Sequence, residues 1–434
     1  MRGARRWNRL SVVLLLGLTA ACQQQEKVSS IVFWTAEVEQ DRLELQQGLA
    51  LRFAATSGGV PVQVVPVDEN VLPEKLAAAK AAGALPDVVE LGLTQIVQFA
   101  NQGILDGRAA TAVVTELGRD SFYRGPLTLC GNPAGDGVAA VPIDGWVQGV
   151  WYRRDWLAEN GLAPPTTWDD LLRAARALHE PQASRFGIVV GTHPQQTYTQ
   201  QVFEQVALSN GARLYTADGA SAVRSAKMLA AVEYYRKLAG AGPPGHTYWR
   251  EARQYYLNGR AAMIWYSPYI IDDIAGLVAE HQPTVADLAG KTGFVPTLAG
   301  PEGPPTSYGE VYALGIPKGA APAAADWVKF LLGAGYQEWL SMAPGGKIPV
   351  RRGAVQKWKE HPYFAHYQPG LADTLAAGMD RMERWGFFGT TAVPAIGEVT
   401  ATKVVPEMLG KVISGEMDAA QGLIWLEQRL ARLP

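Results

Sequence analysis

The sequence predicts an α/β protein with mainly parallel sheets, divided into two domains. Short apolar runs alternate with longer helical patterns along the chain, which is typical of α/β architectures. Several of the short runs are continuously apolar, as expected of parallel strands that are covered on both faces. A chain of 434 residues, of which 48% are hydrophobic, exceeds what one core usually supports and can fill two.

Short runs with the length and composition of strands alternate with segments in which apolar residues have helical spacing. The predicted strands are 31–34, 62–67, 88–91, 138–141, 150–152, 186–190 and 313–316, and the predicted helices include 43–54, 74–82, 168–178, 222–239 and 323–332. The helix that begins at Trp168 has the clearest N-terminal pattern. Thr167 can cap its free amides, and Asp169 and Asp170 lie at the positive end of the helix dipole.

The N-terminal segment predicts secretion and a lipid anchor. Arginines precede a short apolar run at 10–18, which leads into Leu18-Thr19-Ala20-Ala21-Cys22. A basic start, an apolar core and small residues before a cleavage site are features of a signal peptide, and the run is far shorter than the ~20 residues that span a bilayer. We expect residues 1–21 to be removed, Cys22 to carry lipid and 22–29 to form a tether. The protein would then be held on the cell membrane, in the periplasm or at the outer surface.

Composition argues against several classes of function. Loss of residues 1–21 would leave 35 basic and 41 acidic side chains, a net charge near −6, without the clustered basic excess of a nucleic-acid-binding protein. If Cys22 is lipidated, Cys130 has no disulfide partner, and its turn-rich surroundings favour a small, partly buried residue over a nucleophile. The histidines lack ligand spacing and there is no phosphate-binding Gly-Lys loop, so we expect no metal, cofactor or nucleotide hydrolysis.

Four segments, in order along the chain, are similar to one known family. They read LPDVV and GIL within 85–105, WYRRDWLAENGL and PPTTWDDL within 151–171, YLNGRAAM at 256–263, and AADWVKFLL and GGKIPVR within 324–351. Behind a lipid-attachment motif, these segments resemble the extracellular solute-binding proteins of carbohydrate ATP-binding-cassette importers, the maltose-binding-protein-like family. The family usually has Asn-Lys where this chain has Arg153-Arg154. Its binding residues vary greatly, so the resemblance supports fold and role more than the identity of a sugar.

The resemblance implies a two-lobed clamp of the periplasmic-binding-protein type. Each lobe is an α/β sheet, crossover hinge segments join the lobes, and the lobes close over ligand. Mapped onto this chain, the first lobe comprises 28–143 and 295–335 and the second comprises 144–294 and 336–434, with hinges near 142–144, 293–295 and 333–335. The implied function is that of a monomeric binding protein, not an enzyme, which delivers a di- or oligosaccharide to a membrane permease driven by a separate ATPase.

A sugar offers apolar C–H faces and a rim of hydroxyls, so its site combines aromatic rings with carboxylates or amides. Ligands of open α/β sheets bind beyond the carboxyl ends of strands, which points to the residues after the first and third strands. These candidates are Trp34, Glu37, Glu90, Thr94 and Gln95, and the resemblance also places the Glu90 loop at the sugar. Asp87 is expected instead to bond backbone amides of a turn.

The first crossover and the second lobe supply the other candidates. Trp146 is expected to stack on the sugar and Asp144 to accept from its hydroxyls, with capping of the hinge turn as the alternative for Asp144. The resemblance places Tyr269 at a stacking position with Tyr266 nearby, and Trp265 alternates with them, which allows it to face the core instead. Further candidates are Tyr308, Glu310, Gly346, Trp385 and Tyr198.

An extracellular hydrolase is the first alternative function. Glycoside hydrolases place two carboxylates across a cleft, and spacing along the chain does not exclude such a pair. The carboxylates in question are Glu37, Glu90, Asp144 and Glu310. However, the chain has neither a Gly-x-Ser-x-Gly nor a His-Glu-x-x-His motif, so binding without turnover is the favoured interpretation.

A binder of a different solute is the second alternative, because the same clamp serves several ligand classes. Tyr234-Tyr235 and Tyr255-Tyr256 are reminiscent of tyrosinate pairs that hold ferric ion. Both pairs lie in helical patterns, where neighbouring side chains point about 100° apart, so packing is the favoured role. A glycerol phosphate would require clustered arginine or lysine, which the candidate loops lack.

Overall fold

The structure is a computed structural model that describes residues 30–133, 135–389 and 391–433. The predicted signal peptide, the lipidation site Cys22 and the tether lie outside these residues. Within the described part, no helix combines the length and the apolar character needed to cross a membrane. Cys130 is completely buried, more so than predicted, and burial raises the pKa of its thiol, which agrees with a packing role.

The strands form one large mixed sheet and a separate hairpin. They are β1 (Ile31–Thr35), β2 (Val62–Pro66), β3 (Val88–Leu91), β4 (Val141–Arg153), β5 (Met263–Tyr266), β6 (Thr292–Val295), β7 (Tyr308–Gly315), β8 (Ile348–Pro349), β9 (Phe387–Phe388) and β10 (Thr391–Ala392). The large sheet has the order β2-β1-β3-β7-β4-β5, and β6 and β8 also pair with β4. β9 and β10 form the hairpin.

The expectation of mainly parallel sheets is wrong. β1 pairs in parallel with β2 and β3, whereas every pairing that involves β4 or β7 is antiparallel. β7 runs in the direction opposite to β3 and β4. Antiparallel neighbours, unlike parallel ones, do not require a helical crossover between them. The continuous apolar runs reflect burial on both faces, which these antiparallel strands share with parallel ones.

β4 carries the chain from one sheet region to another. Its first part, Val141 to Gln148, pairs with β7, and its last part, Gly149 to Arg153, pairs with β5 and β6. The predicted strand 150–152 lies in the last part of β4, whereas the predicted strand 138–141 is wrong except for Val141, because Val138 forms only an isolated bridge to Gly131. Two α/β regions that share β4 give the predicted two-lobed fold.

The predicted strand at 186–190 is wrong as a regular strand. Phe186 and Val189 each form an isolated parallel bridge, to Ala261 and Ile264. Gly187 lies so close to α7 that a Cβ there would come within 1.7 Å of the Ala175 carbonyl oxygen. The segment is thus held by packing against a helix and by single bridges, without a continuous ladder.

The helices cover the sheet and agree with the predicted helical patterns. They are α1 (Gln40–Thr56), α2 (Leu72–Ala81), α3 (Leu93–Asn101), α4 (Gly107–Glu116), α5 (Arg124–Leu129), α6 (Arg154–Glu159), α7 (Trp168–Ala177), α8 (Thr197–Ser209), α9 (Ala226–Ala239), α10 (Trp249–Leu257), α11 (Ile271–Ile274), α12 (Ala324–Leu332), α13 (Tyr336–Ser341), α14 (Val355–Trp358), α15 (Leu371–Gly378), α16 (Ile396–Thr402), α17 (Val404–Ser414) and α18 (Ala419–Leu430). Thr167 caps α7 as predicted, because its hydroxyl accepts from the Asp170 amide at 3.2 Å.

Helix α13 packs on the side of the molecule that carries β1. It contacts α1 and α12, and the Trp339 ring lies 6.5 Å from the Phe33 ring between centroids. The predicted lobe boundary at 335/336 would assign α13 to the second lobe. We therefore propose that the first lobe extends through α13, with the other predicted boundaries kept as they are.

Candidate functional site

Two adjacent strands build the floor of a cleft where the two sheet regions meet. Asp144, Trp146 and Gln148 alternate along β4, so their side chains share one face. They lie opposite Tyr312, Glu310 and Tyr308 of β7, respectively. We call these six residues the cleft floor. It presents three aromatic rings, two carboxylates and one amide, which suits a ligand with both apolar and polar surface.

The opposite face of the same strands is closely packed. Gly145 and Gly309 alternate with the cleft floor, and a Cβ at Gly309 would come within 1.9 Å of the Trp146 carbonyl oxygen. The side chains of Met379 and Met382 fill the space next to these two glycines. Because these glycines have no side chains, the backbones of β4 and β7 approach closely. The back of the cleft floor therefore packs against Met379 and Met382.

One end of the floor opens into a charged cavity of about 230 Å³, which we call the carboxylate cavity. Residues 36–39, 68–70, Asp144 and Tyr312 contribute to it, and Tyr269 lines it from the second sheet region. At its base the buried Lys347 ammonium lies 2.7 Å from Glu37 Oε1, 3.1 Å from Asp144 Oδ2 and 3.8 Å from Glu90 Oε1. One cation thus serves three carboxylates.

Further hydrogen bonds orient these carboxylates. The Trp339 indole donates to Asp144 Oδ2 at 2.6 Å, and Arg42 donates to Glu37 Oε2 at 2.5 Å. Glu90 Oε2 accepts from the Thr35 hydroxyl at 2.7 Å and from the Ala36 amide at 3.0 Å. The second Asp144 oxygen, Oδ1, is buried and has no hydrogen-bond partner among the described residues, so it retains an acceptor for a donor brought by a ligand.

Burial and charge move the pKa values in this cluster in different directions. Burial raises the pKa of Glu90 to about 7, although Lys347 opposes the shift. Burial likewise raises the pKa of Asp144 against the effect of Lys347. Burial would also raise the pKa of Glu37, but Lys347 and Arg42 outweigh it and lower that pKa. Burial disfavours the charged form of Lys347, yet the three carboxylates raise its pKa and keep it protonated. Glu90 is thus the group that can hold a proton near neutral pH.

The other end of the floor opens into an aromatic cavity of about 280 Å³. The cavity is lined by Trp146 and Gln148 of the cleft floor and by four further aromatic residues, Tyr198, Tyr248, Trp249 and Tyr266. The Trp146 ring meets the Tyr269 ring edge to face, at 6.4 Å between centroids and 68°, and lies 6.2 Å from the Tyr308 ring. Trp146 and Tyr269 therefore separate the aromatic cavity from the carboxylate cavity.

A buried arginine fixes the remaining part of the floor. Arg384 donates to Glu310 Oε2 at 2.5 Å and to Glu204 Oε1 at 3.1 Å, and its guanidinium lies 4.4 Å from the Tyr308 ring centroid. Glu310 Oε1 also accepts from the Leu93 amide at 3.2 Å. This chain of contacts joins α3 to α8 through β7, across the cleft.

Most of the predicted site residues come together in the cleft. The carboxylate cavity contains Glu37, Glu90, Asp144 and Tyr269, the aromatic cavity contains Trp146, Tyr198 and Tyr266, and Tyr308 and Glu310 belong to the cleft floor. Gly346 lies directly beneath Tyr269, because a Cβ at Gly346 would come within 2.3 Å of the Tyr269 ring. Their roles toward a ligand remain predictions.

Four predicted residues lie elsewhere. Trp34 packs against the core, half-buried. Trp385 is completely buried and donates its indole proton to the Ala212 carbonyl at 3.0 Å. Thr94 is exposed on α3, and Gln95 caps the same helix through Gly92 and also donates to the Glu69 carbonyl. Strand ends and loop positions alone did not distinguish structural roles from ligand contact. Trp385 is wrong as a site residue because its ring is buried in the core, whereas the other three line neither cavity and their roles stay predictions.

One structural expectation is confirmed, and one open alternative is decided. Asp87 accepts from the Val32 amide at 2.8 Å and from the Ala321 amide at 2.7 Å, so it bonds backbone as predicted. Trp265 is completely buried and donates to Gln205 Oε1 at 2.8 Å. This decides, in favour of the core, the direction that the alternation of Trp265 with Tyr266 had left open.

The sequence analysis missed several residues of the cleft. They are Arg42, Gln148, Trp249, Tyr312, Lys347 and Arg384. Gln148 and Tyr312 could have been found, because each continues the period-two pattern of a strand that already carries a predicted site residue. Lys347 and Arg384 come from segments distant in sequence from their partners, and only the tertiary structure brings these charges together.

Comparisons with known proteins identify the family of the chain. The family model for bacterial extracellular solute-binding proteins matches residues 34–338. A relative from Escherichia coli (strain K12), YcjN, is named as an ABC transporter periplasmic-binding protein and is 30% identical over 433 residues, covering 98% of this chain and 97% of the relative.

Solved structures show the same fold at low sequence identity. The sugar-binding protein MalE from Xanthomonas citri has a TM-score of 0.75 at 20% identity, covering 93% of this chain and 96% of that one. The cyclic α-maltosyl-1,6-maltose-binding protein from Arthrobacter globiformis has a TM-score of 0.72 at 19% identity, with 93% and 98% covered. Maltose-bound MalE3 from T. maritima gives 0.66 at 22% identity, with 93% and 99% covered. The chain therefore belongs to the family of bacterial extracellular solute-binding proteins and has the two-lobed, maltose-binding-protein-like fold.

Proposed function

We propose that the chain is the sugar-binding component of an ABC importer and takes a di- or oligosaccharide into the cleft. The observation that carries the proposal is the position of Trp146. Its ring lies on the cleft floor against Tyr269, with a carboxylate cavity on one side and an aromatic cavity on the other. An aromatic face for C–H groups beside fixed acceptors for hydroxyls is the chemistry that a sugar needs.

The size of the cleft supports a ligand of more than one ring. The two cavities hold about 230 and 280 Å³, and each is slightly below the ~300 Å³ at which small-ligand pockets begin. Together they fall within the usual range. A disaccharide would place one ring in each cavity and cross the floor at Trp146.

The charge of the carboxylate cavity supports an uncharged sugar. Its acidic side chains outnumber Arg42 and Lys347, and they are Glu37, Glu39, Asp68, Glu69, Glu90 and Asp144. Like charges held in a partly buried site repel strongly. We therefore expect neutral saccharides to bind and uronates, sugar phosphates and glycerol phosphates to be rejected.

The alternatives fit the geometry less well. Glu37, Glu90 and Asp144 converge on Lys347, and Glu310 binds Arg384, so these carboxylates do not face each other freely across the cleft as a hydrolytic pair would. The Tyr234 and Tyr235 hydroxyls donate to the Trp168 and Gly191 carbonyls inside the core, which leaves them unsuited to bind ferric ion.

Delivery to a membrane permease and a lipid anchor at Cys22 complete the proposal. The anchor rests on the sequence pattern that ends at Cys22, and two or more acyl chains at that residue would hold the protein stably at a membrane. Mass spectrometry of the N-terminal peptide from membrane-extracted protein tests this part, and an unmodified Cys22 there would contradict it.

A thermal-shift panel of mono-, di- and oligosaccharides, followed by calorimetry, tests the ligand class. A ligand at 100 times its Kd adds about 2.7 kcal/mol of stability, so a true ligand is visible as a raised Tm. Trp146→Ala and Tyr269→Ala should each weaken binding at least about tenfold, the equivalent of ~1.4 kcal/mol, without unfolding the protein.

Trp425→Ala is the matched control, because Trp425 lies half-buried on α18 away from the cleft. It should leave sugar affinity unchanged. If no saccharide raises Tm, or if both cleft variants bind as tightly as the unaltered protein, the proposal fails. Chemical cleavage of the sugar during incubation would instead establish the hydrolase.

A further inference from the structure

A third cavity lies behind the cleft floor and shares no lining residue with the two cleft cavities. It has a volume of about 630 Å³, more than either of them. Met382 lines it and also packs against Gly309, on the face of β7 opposite the cleft floor. The cavity is therefore separated from the sugar site by the sheet itself. We call it the arginine cavity.

Four arginines and two carboxylates line the arginine cavity. The arginines come from four separate parts of the chain, and they are Arg124, Arg213, Arg352 and Arg381, whereas the carboxylates are Asp380 and Glu383. The lining therefore carries an excess of two positive charges. Such an excess, gathered by the fold from distant segments, favours an anion.

Two of the arginines are held in place by the carboxylates. Arg352 donates to both oxygens of Asp380, at 2.7 and 2.9 Å, and its guanidinium lies 4.4 Å from the Tyr123 ring centroid. Arg213 pairs with Glu383. Asp380 also accepts from the Arg124 backbone amide at 3.0 Å. These contacts fix the direction of two guanidinium groups and occupy the carboxylates that balance them.

The other two arginines keep their hydrogen-bonding capacity. Arg124 and Arg381 are exposed at the cavity and form no ion pair with any residue that the structure describes. Burial would raise the pKa of Asp380, but its hydrogen bonds from the Arg124 amide and from Arg352, and the charges of these two arginines, lower it. Two free guanidinium groups can bind oxyanion oxygens through paired N–H bonds.

An apolar wall faces this charged side. Phe387 is buried and Phe388 half-buried, and Pro304 and Pro305 complete the wall. The Arg213 guanidinium lies 5.3 Å from the Phe388 ring centroid, so charge and aromatic surface adjoin. A cavity of this size, with an apolar wall and a few convergent polar groups, has the features of a small-molecule site.

We propose that the arginine cavity binds an organic phosphate monoester, with the phosphate at Arg124 and Arg381 and the organic part against the Phe388 wall. A phosphate monoester carries a charge of about −1.5 to −2 at pH 7, which matches the excess positive charge of the lining. The site is independent of the proposed sugar site, whose acidic cavity would repel the same ligand.

Calorimetry with phenyl phosphate, at fixed ionic strength, tests the proposal on the full chain. We expect a Kd below about 1 mM, weaker binding of inorganic phosphate, which lacks the organic part, and no binding of benzyl alcohol, which lacks the charge. The double variant R124Q/R381Q should weaken phenyl phosphate binding at least about tenfold and leave sugar affinity unchanged.

R176Q/R236Q is the matched control, because it removes the same charge from exposed arginines on α7 and α9. It should bind phenyl phosphate like the unaltered protein. A Kd for phenyl phosphate above about 1 mM, or equal binding by R124Q/R381Q, overturns the proposal. An equal loss in R176Q/R236Q would show a general charge effect and overturn it too. Tighter binding of phthalate than of phenyl phosphate would overturn the phosphate assignment in favour of a dicarboxylate.

Discussion

Lys347 connects the buried carboxylates of the carboxylate cavity. Its ammonium is the shared partner of Glu37, Glu90 and Asp144 in a site where Lys347 itself is only 4% exposed. One lysine balances one carboxylate fully, and Arg42 assists at Glu37. The remaining negative charge is costly in a buried site. Burial, with smaller effects from Glu37 and Asp144, raises the pKa of Glu90 to about 7 against the effect of Lys347, and a proton on Glu90 relieves part of that cost.

The pKa of Glu90 predicts how Glu90→Gln changes the pH dependence of stability. The folded protein binds a proton at Glu90 up to about pH 7, whereas the unfolded chain releases it near the ordinary value of 4.5. The contribution of Glu90 is therefore fully present below pH 4.5 and is lost as the pH rises through 7. Between pH 4.5 and 8, the unaltered protein should lose up to roughly 3 kcal/mol of unfolding free energy relative to Glu90→Gln.

Urea unfolding at several pH values measures this difference. Glu116→Gln is the control, because the Glu116 side chain, which pairs with Lys329, is 59% accessible. It removes one carboxylate outside the buried cluster and should not reproduce the pH-dependent gain of Glu90→Gln. A difference between Glu90→Gln and the unaltered protein that stays constant with pH would mean that Glu90 is ionised throughout.

At the scale of elements, the turn between α13 and β8 determines where Tyr269 lies. The Ala343 carbonyl accepts from the Gly346 amide at 2.9 Å and the Lys347 amide at 2.7 Å, which fixes the turn. Gly345 lies so close to the segment before α11 that a Cβ would come within 2.7 Å of the Pro268 carbonyl oxygen. Two glycines therefore let one turn support the Tyr269 ring while the next residue, Lys347, enters the carboxylate cavity.

Gly346→Ala should weaken sugar binding about tenfold while lowering the unfolding free energy by less than about 1 kcal/mol. The added Cβ meets the outer atoms of the Tyr269 ring, and this ring is 48% exposed, so it can move away without disturbing the core. Calorimetry and urea unfolding measure the two effects. Gly353→Ala, with no atom within 4 Å of its Cβ, should change neither. A large loss of stability in Gly346→Ala would place the glycine in the core instead.

At the scale of the whole molecule, the cleft is lined from both sheet regions, so ligand affinity and domain geometry are linked. Glu37 and Asp68 reach the carboxylate cavity from loops that follow β1 and β2, and Tyr269 reaches it from the segment after β5. A sugar that contacts both sides binds a closed arrangement better than an open one, and it shifts the population toward closure by that difference in affinity.

Small-angle X-ray scattering should show a smaller radius of gyration at saturating sugar than without sugar. At a sugar concentration that saturates the unaltered protein but not Trp146→Ala, the variant should keep the larger radius. A higher sugar concentration should then reduce the radius of gyration of the variant as well, because the substitution lowers sugar affinity but leaves the hinge segments unchanged. An unchanged radius for the unaltered protein at saturation would rule out closure as the response to ligand.

Much of the fold follows from local sequence patterns. The first three strands and the helix after Thr167 were predicted because apolar runs and a capping residue are local features. The failures concern pairing. Only the last part of β4, at 150–152, was predicted, because Asp144, Gly145 and Gln148 interrupt the apolar run. The segments at 138–141 and 186–190 were predicted as strands, but outside β4 they form only single bridges.

The candidate site also contains residues that local sequence features identified correctly and residues that they did not. Trp146 and Asp144 were identified from their place at a crossover, and β4 does carry them into the cleft. Trp385 was chosen as an aromatic residue near the C-terminus, but its ring is in the core. An aromatic ring packs equally well against a core or a sugar, so its type alone does not decide between the two.

The sequence by itself determined the family, the α/β class and the presence of aromatic and acidic residues near strand ends, because these depend on composition, period and local motifs. Only the tertiary structure decided that Lys347 joins three carboxylates and that arginines from four segments meet behind the cleft floor. Charge interactions act through space over a few ångströms, and the separation of two residues along the chain does not tell how close the fold brings them.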